Sequence, residues 1–273
     1  MTTSLPISKA HAYGNDFLFV PRERAAGDLS ALARMLCNRH QGIGGDGLIF
    51  YEVTEGAATM RLLNADGSPS ELSGNGLRCL AALAARRQGL KPGAIIHAST
   101  DAGEKTLELL AFDGERYTFR AALGPPTGLR QIQIPVLGET LTASVLAMGN
   151  PQCVVLGPLP DFDRFSRFGP ALATHAMFPA GSNVEFAQIE AADRVRILIW
   201  ERGVGPTMAS GTGASASAVA AAAHGGAARA VDVIAPGGTQ RVEWQKEGVY
   251  LTGWAEVLFE GEWLRLDDRD TYP

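Results

Sequence analysis

The chain repeats itself at half its length. Ala12-Tyr-Gly-Asn-Asp-Phe-Leu-Phe-Val20 aligns with Ala147-Met-Gly-Asn-Pro-Gln-Cys-Val-Val155, 135 residues later, and Ser73-Gly-Asn-Gly-(x)4-Ala81 aligns with Ser210-Gly-Thr-Gly-(x)4-Ala218, 137 residues later. Both spacings fall near half of 273 residues. Duplication of one unit therefore accounts for them better than chance matches between glycine-rich loops, and the expected architecture is two similar lobes.

The coarse pattern agrees in the two halves. Phe17 to Val20 and Val154 to Leu156 follow a Gly-Asn turn and predict strands, as do Leu48 to Tyr51, Met60 to Leu63, Arg194 to Trp200 and Gly248 to Leu251, which are rich in β-branched and aromatic residues. Leu77 to Arg87 and Ala214 to His224 are Ala-rich and predict helices, each begun by an S-G-x-G loop. A helix clothed mainly in alanine can be approached closely from all sides. The fold class expected is thus α/β (α+β), each lobe a mixed sheet wrapped around one central helix, with Gly124-Pro-Pro-Thr-Gly128 as the linker.

Composition excludes several functions. An apolar share of 46% with 19% charged residues describes a globular chain. A net charge of −5, without a polybasic run, gives no footprint for nucleic acid. No stretch has the roughly 18 apolar residues of a membrane span, and the N-terminal segment lacks the pattern of a signal peptide, so a cytoplasmic protein without a membrane partner is expected. Cys37, Cys79 and Cys153 form neither a disulfide framework nor a CxxC pair, and no metal site is expected.

A glycine-rich loop entering a helix presents unpaired N–H groups at the positive end of the helix dipole, which suits an anion. Neither loop has the Lys of a phosphate loop or a full dinucleotide fingerprint, so a carboxylate is the better match. The bland alternative is that Ser73 and Ser210 are simply helix N-caps. Asn15, Asn64, Asn150 and Asn183 could likewise be turn formers, and Glu201-Arg202 a surface ion pair. Taken together they suit a zwitterion with several amino and carboxylate groups, Arg gripping a carboxylate and Glu receiving an ammonium.

These residues carry a family resemblance. G-N-D-F at 14–17, R-H-Q-G-I-G-G-D-G-L at 39–48, N-A-D-G-S at 64–68, E-L-S-G-N-G-L-R-C at 71–79, M-G-N-P-Q-C-V at 148–154, N-V at 183–184 and E-R-G-V-G-P-T-M-A-S-G-T-G-A at 201–214 resemble the diaminopimelate epimerases along essentially the whole chain. The resemblance implies two pseudo-symmetric lobes, residues 1–125 with 262–273 and residues 126–261. Glu262-Trp-Leu-Arg-Leu266 would return as a strand to the first lobe, with the active site in the cleft between the lobes and a homodimer as the assembly. It implies a cofactor-independent enzyme that interconverts LL- and meso-diaminopimelate, an amino-acid substrate of lysine and peptidoglycan-precursor biosynthesis, by moving an α-proton from one face to the other.

Two cysteines do this work in the family, and they fall on Ser73 and Ser210. A hydroxyl titrates several units above a thiol, so base strength at neutral pH drops by orders of magnitude. Gln152 stands where the family usually has a histidine that, with the glutamate matching Glu201, supports the catalytic pair; Gln cannot take up a proton. Gly47 stands where some members carry Gln. The substrate-gripping positions Asn15, Asn64, Asn150, Asn183, Glu201 and Arg202, and the carboxylate cradles Gly74-Asn75 and Gly211-Thr212, are retained. Three readings of the serines are open: an engineered double Cys→Ser form, a natural homologue with a different proton-transfer activity, or a non-catalytic amino-acid-binding protein.

Overall fold

The computed structural model describes residues 3–70, 73–101 and 103–265. Glu71 and Leu72 of the fourth motif, and Leu266 of the expected return strand, lie outside them. The chain divides into two compact units, one running to Phe119 and resuming at Trp254, the other Arg120–Gly253. The division thus falls at 119/120 and 253/254 rather than at 125/126 and 261/262.

The first unit contains β1 (Thr3–Ala12), β2 (Asn15–Pro21), α1 (Leu29–Cys37), β3 (Gly47–Thr54), β4 (Ala57–Asn64), β5 (Pro69–Ser70), α2 (Gly74–Gln88), β6 (Ile95–Thr100), β7 (Gly103–Phe112) and the start of β8 (Arg116–Gly124). β1–β2, β3–β4 and β6–β7 pair antiparallel, and β2–β3 and β4–β6 pair parallel. The second unit repeats the scheme with β9 (Thr127–Val136), β10 (Glu139–Ala147), β11 (Pro151–Leu156), α3 (Phe162–Ala173), β12 (Asn183–Ala191), β13 (Arg194–Glu201), β14 (Gly205–Thr207), α4 (Gly211–His224), β15 (Ala230–Ala235), β16 (Gly238–Trp244) and the start of β17 (Val249–Arg265). Its β10–β11, β12–β13 and β15–β16 pairs are antiparallel, and β11–β12 and β13–β15 parallel.

Two strands carry the chain across the division. β17 pairs with β16 through Val249 to Thr252, then with β1 from Glu256 to Arg265, so the return to the first unit begins well before Glu262. The expected linker is shorter than the sequence suggests: β8 ends at Gly124 and β9 begins at Thr127, so only Pro125 and Pro126 lie outside strands. Sheet pairing continues almost through the segment because a strand edge accepts proline wherever no ladder N–H is required.

Each central helix is surrounded by strands. α2 is buried from Asn75 to Ala85 and packs on β1, β2, β3, β4 and β6; α4 is buried from Gly213 to Ala221 and packs on β10, β11, β12, β13, β15 and β16. Both begin three residues before the sequence expectation, because Gly74-Asn75-Gly76 and Gly211-Thr212-Gly213 form first turns. Glycine is a poor helix former, but first-turn N–H groups need no intrahelical acceptor, and a serine cap fixes the entry. α2 stops at Gly89, whose φ of 62° is the left-handed cap conformation.

The sequence reading lacks the two amphipathic helices, α1 and α3, capped by Asp28 and Asp161. α1 buries Leu32, Ala33 and Leu36 with Leu18, Val20, Leu48 and Phe50, and α3 buries Phe165, Phe168 and Leu172 with Val184 and Phe186. Among the described residues no helix is long and apolar enough to cross a membrane.

Tight enclosure of α4 makes its alanines size-limited. Ala218→Leu, at a buried position, is expected to destabilise the protein by about 1–3 kcal/mol in urea unfolding, while Ala223→Leu, exposed on the last turn, stays within about 0.5 kcal/mol.

Candidate functional site

Ser73 and Ser210 occupy the same local structure. Each is the N-cap of its central helix in extended conformation (φ −122°, ψ 121° and φ −136°, ψ 126°), and each hydroxyl oxygen accepts the N–H of the third helical residue, Gly76 or Gly213, at 3.1 Å. The N-cap reading of the sequence is therefore correct, and it leaves room for the anion reading. Gly74 in one unit and Gly211 and Thr212 in the other carry first-turn N–H groups with no intrahelical acceptor within reach. Thr212 Oγ1 lies 3.4 Å from Ser210 Oγ.

In the first unit Asn15 and Asn75 belong to one polar network. Tyr13 and Gly14, with φ of 56° and 86°, form the two-residue turn of the β1–β2 hairpin and deliver Asn15 to the start of β2. Asn15 Oδ1 accepts Asn75 Nδ2 at 3.2 Å, and Asn15 Nδ2 donates to Asp46 Oδ2 at 2.6 Å. Arg39 then bridges Asp46 and Asp16 at 2.7 Å each, and Lys9 joins Asp16 at 2.9 Å. At the other end the buried Arg78 donates to Asn75 Oδ1 and stands over the Tyr13 ring. Both amide orientations follow from these charges. Burial raises the Asp16 carboxyl, but the bonds from Arg39 and Lys9 outweigh it and hold it below the usual range.

Gly47 and Asn64 face each other across β3–β4. A Cβ on Gly47 would lie 2.8 Å from the Leu63 carbonyl oxygen, so this position offers a ligand only its backbone. Asn64 is held in the N-A-D-G-S turn, its Nδ2 donating to Ser68 Oγ at 3.0 Å.

The second unit joins its site residues along β11, β12 and β13. Gln152 opposes Asn183 in the parallel ladder, and Val184 opposes Trp200. Gln152 Nε2 donates to Asn150 Oδ1 at 2.6 Å, while Asn183 Oδ1 accepts the Arg202 N–H at 2.9 Å. Arg202 Nη1 donates to the Ala180 carbonyl at 2.6 Å. Glu201, half-buried, closes β13 beside it.

The sequence reading misses Glu185. It lies two residues beyond Asn183 on β12, fully buried, and neither carboxyl oxygen has a hydrogen-bond partner among the described residues. A Cβ on Gly213 would stand 2.6 Å from its Oε1, so the carboxyl lies against the first turn of α4. Burial, then the negative charge of Glu201, push this carboxyl well above the ordinary range. The available signal was a Glu inside the apolar run N-V-E-F-A; only strand register decides that it points at the helix. Arg39, Asp46 and Arg78 were also passed over, although they stand in the quoted motifs.

None of the three cysteines substitutes for a reactive thiol. All are buried; burial pushes Cys37 and Cys153 up to about 12 and Cys79 higher still.

Comparison with known proteins decides the family. The family model described as diaminopimelate epimerase matches residues 7–127 and 144–258. The chain belongs to the diaminopimelate epimerase family. It is 41% identical to the diaminopimelate epimerase of Desulforudis audaxviator, covering 96% of this chain and all of that one. It is 39% identical to the diaminopimelate epimerase of Desulfitobacterium hafniense, with 94% and 97% covered. The same fold occurs in a hydroxyproline epimerase from Agrobacterium vitis (TM-score 0.68, 16% identity, 98% and 93% covered) and in a phenazine biosynthesis protein from Bacillus anthracis (TM-score 0.72, 14% identity, 96% and 100% covered). In this family member both duplicated caps are serine hydroxyls.

Two outcomes follow from the site's electrostatics. Because the folded state holds the Glu185 proton more tightly than the unfolded chain does, stability is lost as pH rises above about 4.5, by about 1.4 kcal/mol per unit until Glu185 ionises in the folded protein. Glu185→Gln should remove that loss: thermal melts should coincide with wild type in acid and rise above it progressively toward neutral pH. An aromatic disulfide reagent at neutral pH should modify none of Cys37, Cys79 and Cys153 in the folded protein, and all three after denaturation.

Proposed function

We propose that this protein performs the reaction its family is named for, interconverting LL- and meso-2,6-diaminopimelate without a cofactor, and that serine at both acid/base positions makes the sequence as written strongly weakened or inactive. The observation that carries this reading is the duplicated cap: two side chains of one type, in one conformation, each at the mouth of an equivalent buried helix.

In this reading Ser73 and Ser210 hold the two acid/base positions that the resemblance assigns, one for each face of the substrate α-carbon. One removes the α-proton while the other supplies a proton to the opposite face. The carbanion between these events spreads its charge onto the reacting carboxylate, which the helix starts at Gly74-Asn75 and Gly211-Thr212 stabilise through N–H groups aimed at the developing charge. Asn15 and Gly47 line the first half of the site. Asn64, Asn150, Asn183 and Arg202 recognise the distal amino-carboxylate end, where a shorter amino acid leaves buried polar groups unpaired. Glu201 receives an ammonium, and Gln152 orients its surroundings by hydrogen bonding without taking up a proton. The homodimer and the cytoplasmic location belong to the same proposal and rest on the resemblance.

The alternative, an amino-acid-binding protein on the epimerase fold, is not favoured by relatives that are themselves diaminopimelate epimerases. One experiment separates them. The protein and the double variant Ser73→Cys/Ser210→Cys are incubated with diaminopimelate in deuterated water, and α-deuterium uptake is followed by mass spectrometry. The expected result is exchange several orders of magnitude faster in the double variant, since each unit of base pKa corresponds to about tenfold. Tight binding without exchange by the double variant would establish the binding-protein reading instead; exchange by the serine form at enzyme-like rates would refute the weakening ascribed to the hydroxyls.

A further inference from the structure

The duplication supplies an internal control for Glu185. Gly76 and Gly213 are equivalent third residues of the two central helices, and the side chain lying against each comes from the equivalent strand, Ile49 from β3 and Glu185 from β12. In the first unit a Cβ on Gly76 would meet Ile49 Cδ1 at 3.0 Å, and in the second a Cβ on Gly213 would meet Glu185 Oε1 at 2.6 Å. The fold needs only an apolar filler at this place, as Ile49 demonstrates. Burying a carboxyl there without a hydrogen-bond partner costs folding free energy. The carboxyl therefore serves something other than packing.

Its surroundings narrow that role. Glu185 opposes Val154 on β11 and Ile199 on β13, both of which face α4 in the core of the second unit. The same face carries Gln152, Asn183 and, two residues beyond Ile199, Glu201. The groups around Glu185 include few that titrate. β11 contributes the neutral Gln152 and the Cys153 thiol on its opposite face; β13 contributes Glu201; α4 contributes Gly213, Ser215 and Ser217, with His224 at its far end. On β12 itself the next carboxyl, Glu190, is exposed and paired with Arg196. Arg202, next to Glu201, is exposed and directs Nη1 to the Ala180 carbonyl. No cation among the described residues is paired with Glu185, and the N–H of Gly213, the residue it lies against, is taken by Ser210 Oγ.

We propose that Glu185 is a positioning residue that works as a neutral carboxylic acid, and that its proton allows a ligand carboxylate to be held at the start of α4 beside the charge of Glu201. This rests on the carboxylate-binding reading of Gly211-Thr212 given above. Were Glu185 ionised, an arriving carboxylate would meet two negative charges at a desolvated helix end, and their repulsion would offset the attraction of the helix N–H groups. Binding and protonation are then coupled: the ligand carboxylate favours the protonated form of Glu185, and by linkage the proton favours the ligand to the same extent. Burial raises this carboxyl and so favours that form. Gln152 cannot hold a proton, so Glu185 is the group on this sheet face that can take one up while Glu201 remains an anion for the substrate ammonium.

The test uses the full chain and infrared difference spectroscopy, with Glu185→Gln to assign the band and Glu185→Ile, the first unit's own solution, as a second neutral variant expected to fold. At neutral pH the wild-type-minus-variant spectrum should contain the carbonyl stretch of a protonated carboxyl. Titrating that band with pH gives its midpoint, which diaminopimelate should move upward by about one unit or more, a coupling of about tenfold. Calorimetry run alongside should give Glu185→Gln a dissociation constant close to that of wild type below the midpoint and tighter than wild type above it. Carboxylate bands at neutral pH overturn the proposal. Binding with an unmoved or lowered midpoint overturns the coupling alone. Absence of binding to wild type and both variants overturns the diaminopimelate reading and the coupling with it.

Discussion

The structure depends on burying a helix inside a sheet, twice. A helix surrounded by strands limits the size of its side chains, most strictly in α4, while α2 still accommodates Leu77, Leu80 and Leu83; in both, the first-turn N–H groups need acceptors outside the helix. The alanines of α4 meet the first demand, and Ser73 and Ser210 meet part of the second by accepting the Gly76 and Gly213 N–H groups. What the serines leave is the Gly74 N–H in one unit and the Gly211 and Thr212 N–H groups in the other, none with an intrahelical acceptor. These free donors are a by-product of the packing problem, and they recur because the packing problem recurs.

Duplication sets the positions, and divergence assigns the chemistry. Position by position the first unit places Phe17, Gly47, Ile49 and Asn64 where the second has Gln152, Asn183, Glu185 and Glu201. The first sheet face near its helix start is largely apolar and takes its polarity from a network behind it, Arg78–Asn75–Asn15–Asp46–Arg39. The second carries amides and carboxyls on the sheet itself.

Ser73 and Ser210 complete both caps through their hydroxyl oxygens, and the first turns of α2 and α4 form around them. A hydroxyl keeps its proton where a thiol would release it, and burial holds Cys37, Cys79 and Cys153 as protonated, unreactive thiols.

Much of this was legible in the chain because it is local or repeated. The half-length spacing of the Gly-Asn and S-G-x-G motifs determined that there are two like units; alanine content determined that each has an enclosed helix; the caps and the amides followed from residue type and motif. α1 and α3 are short elements that a strand-dominated pattern absorbs as connections, and β17 runs through Trp254 without a break in pattern, so the chain carries no local signal of a division there. Glu185 marks the other limit. Its composition and neighbours in sequence say only that a strand contains an acid. Strand register turned it toward α4, the absence of Cβ on Gly213 let it approach, and enclosure by the sheet raised its affinity for a proton. The sequence by itself determined the repeat, the helix caps and the set of polar groups, since these depend on local conformation and side-chain chemistry. Tertiary structure alone decided which of those groups are desolvated and what they face, because burial and charge–charge distance are set by segments far apart in the chain.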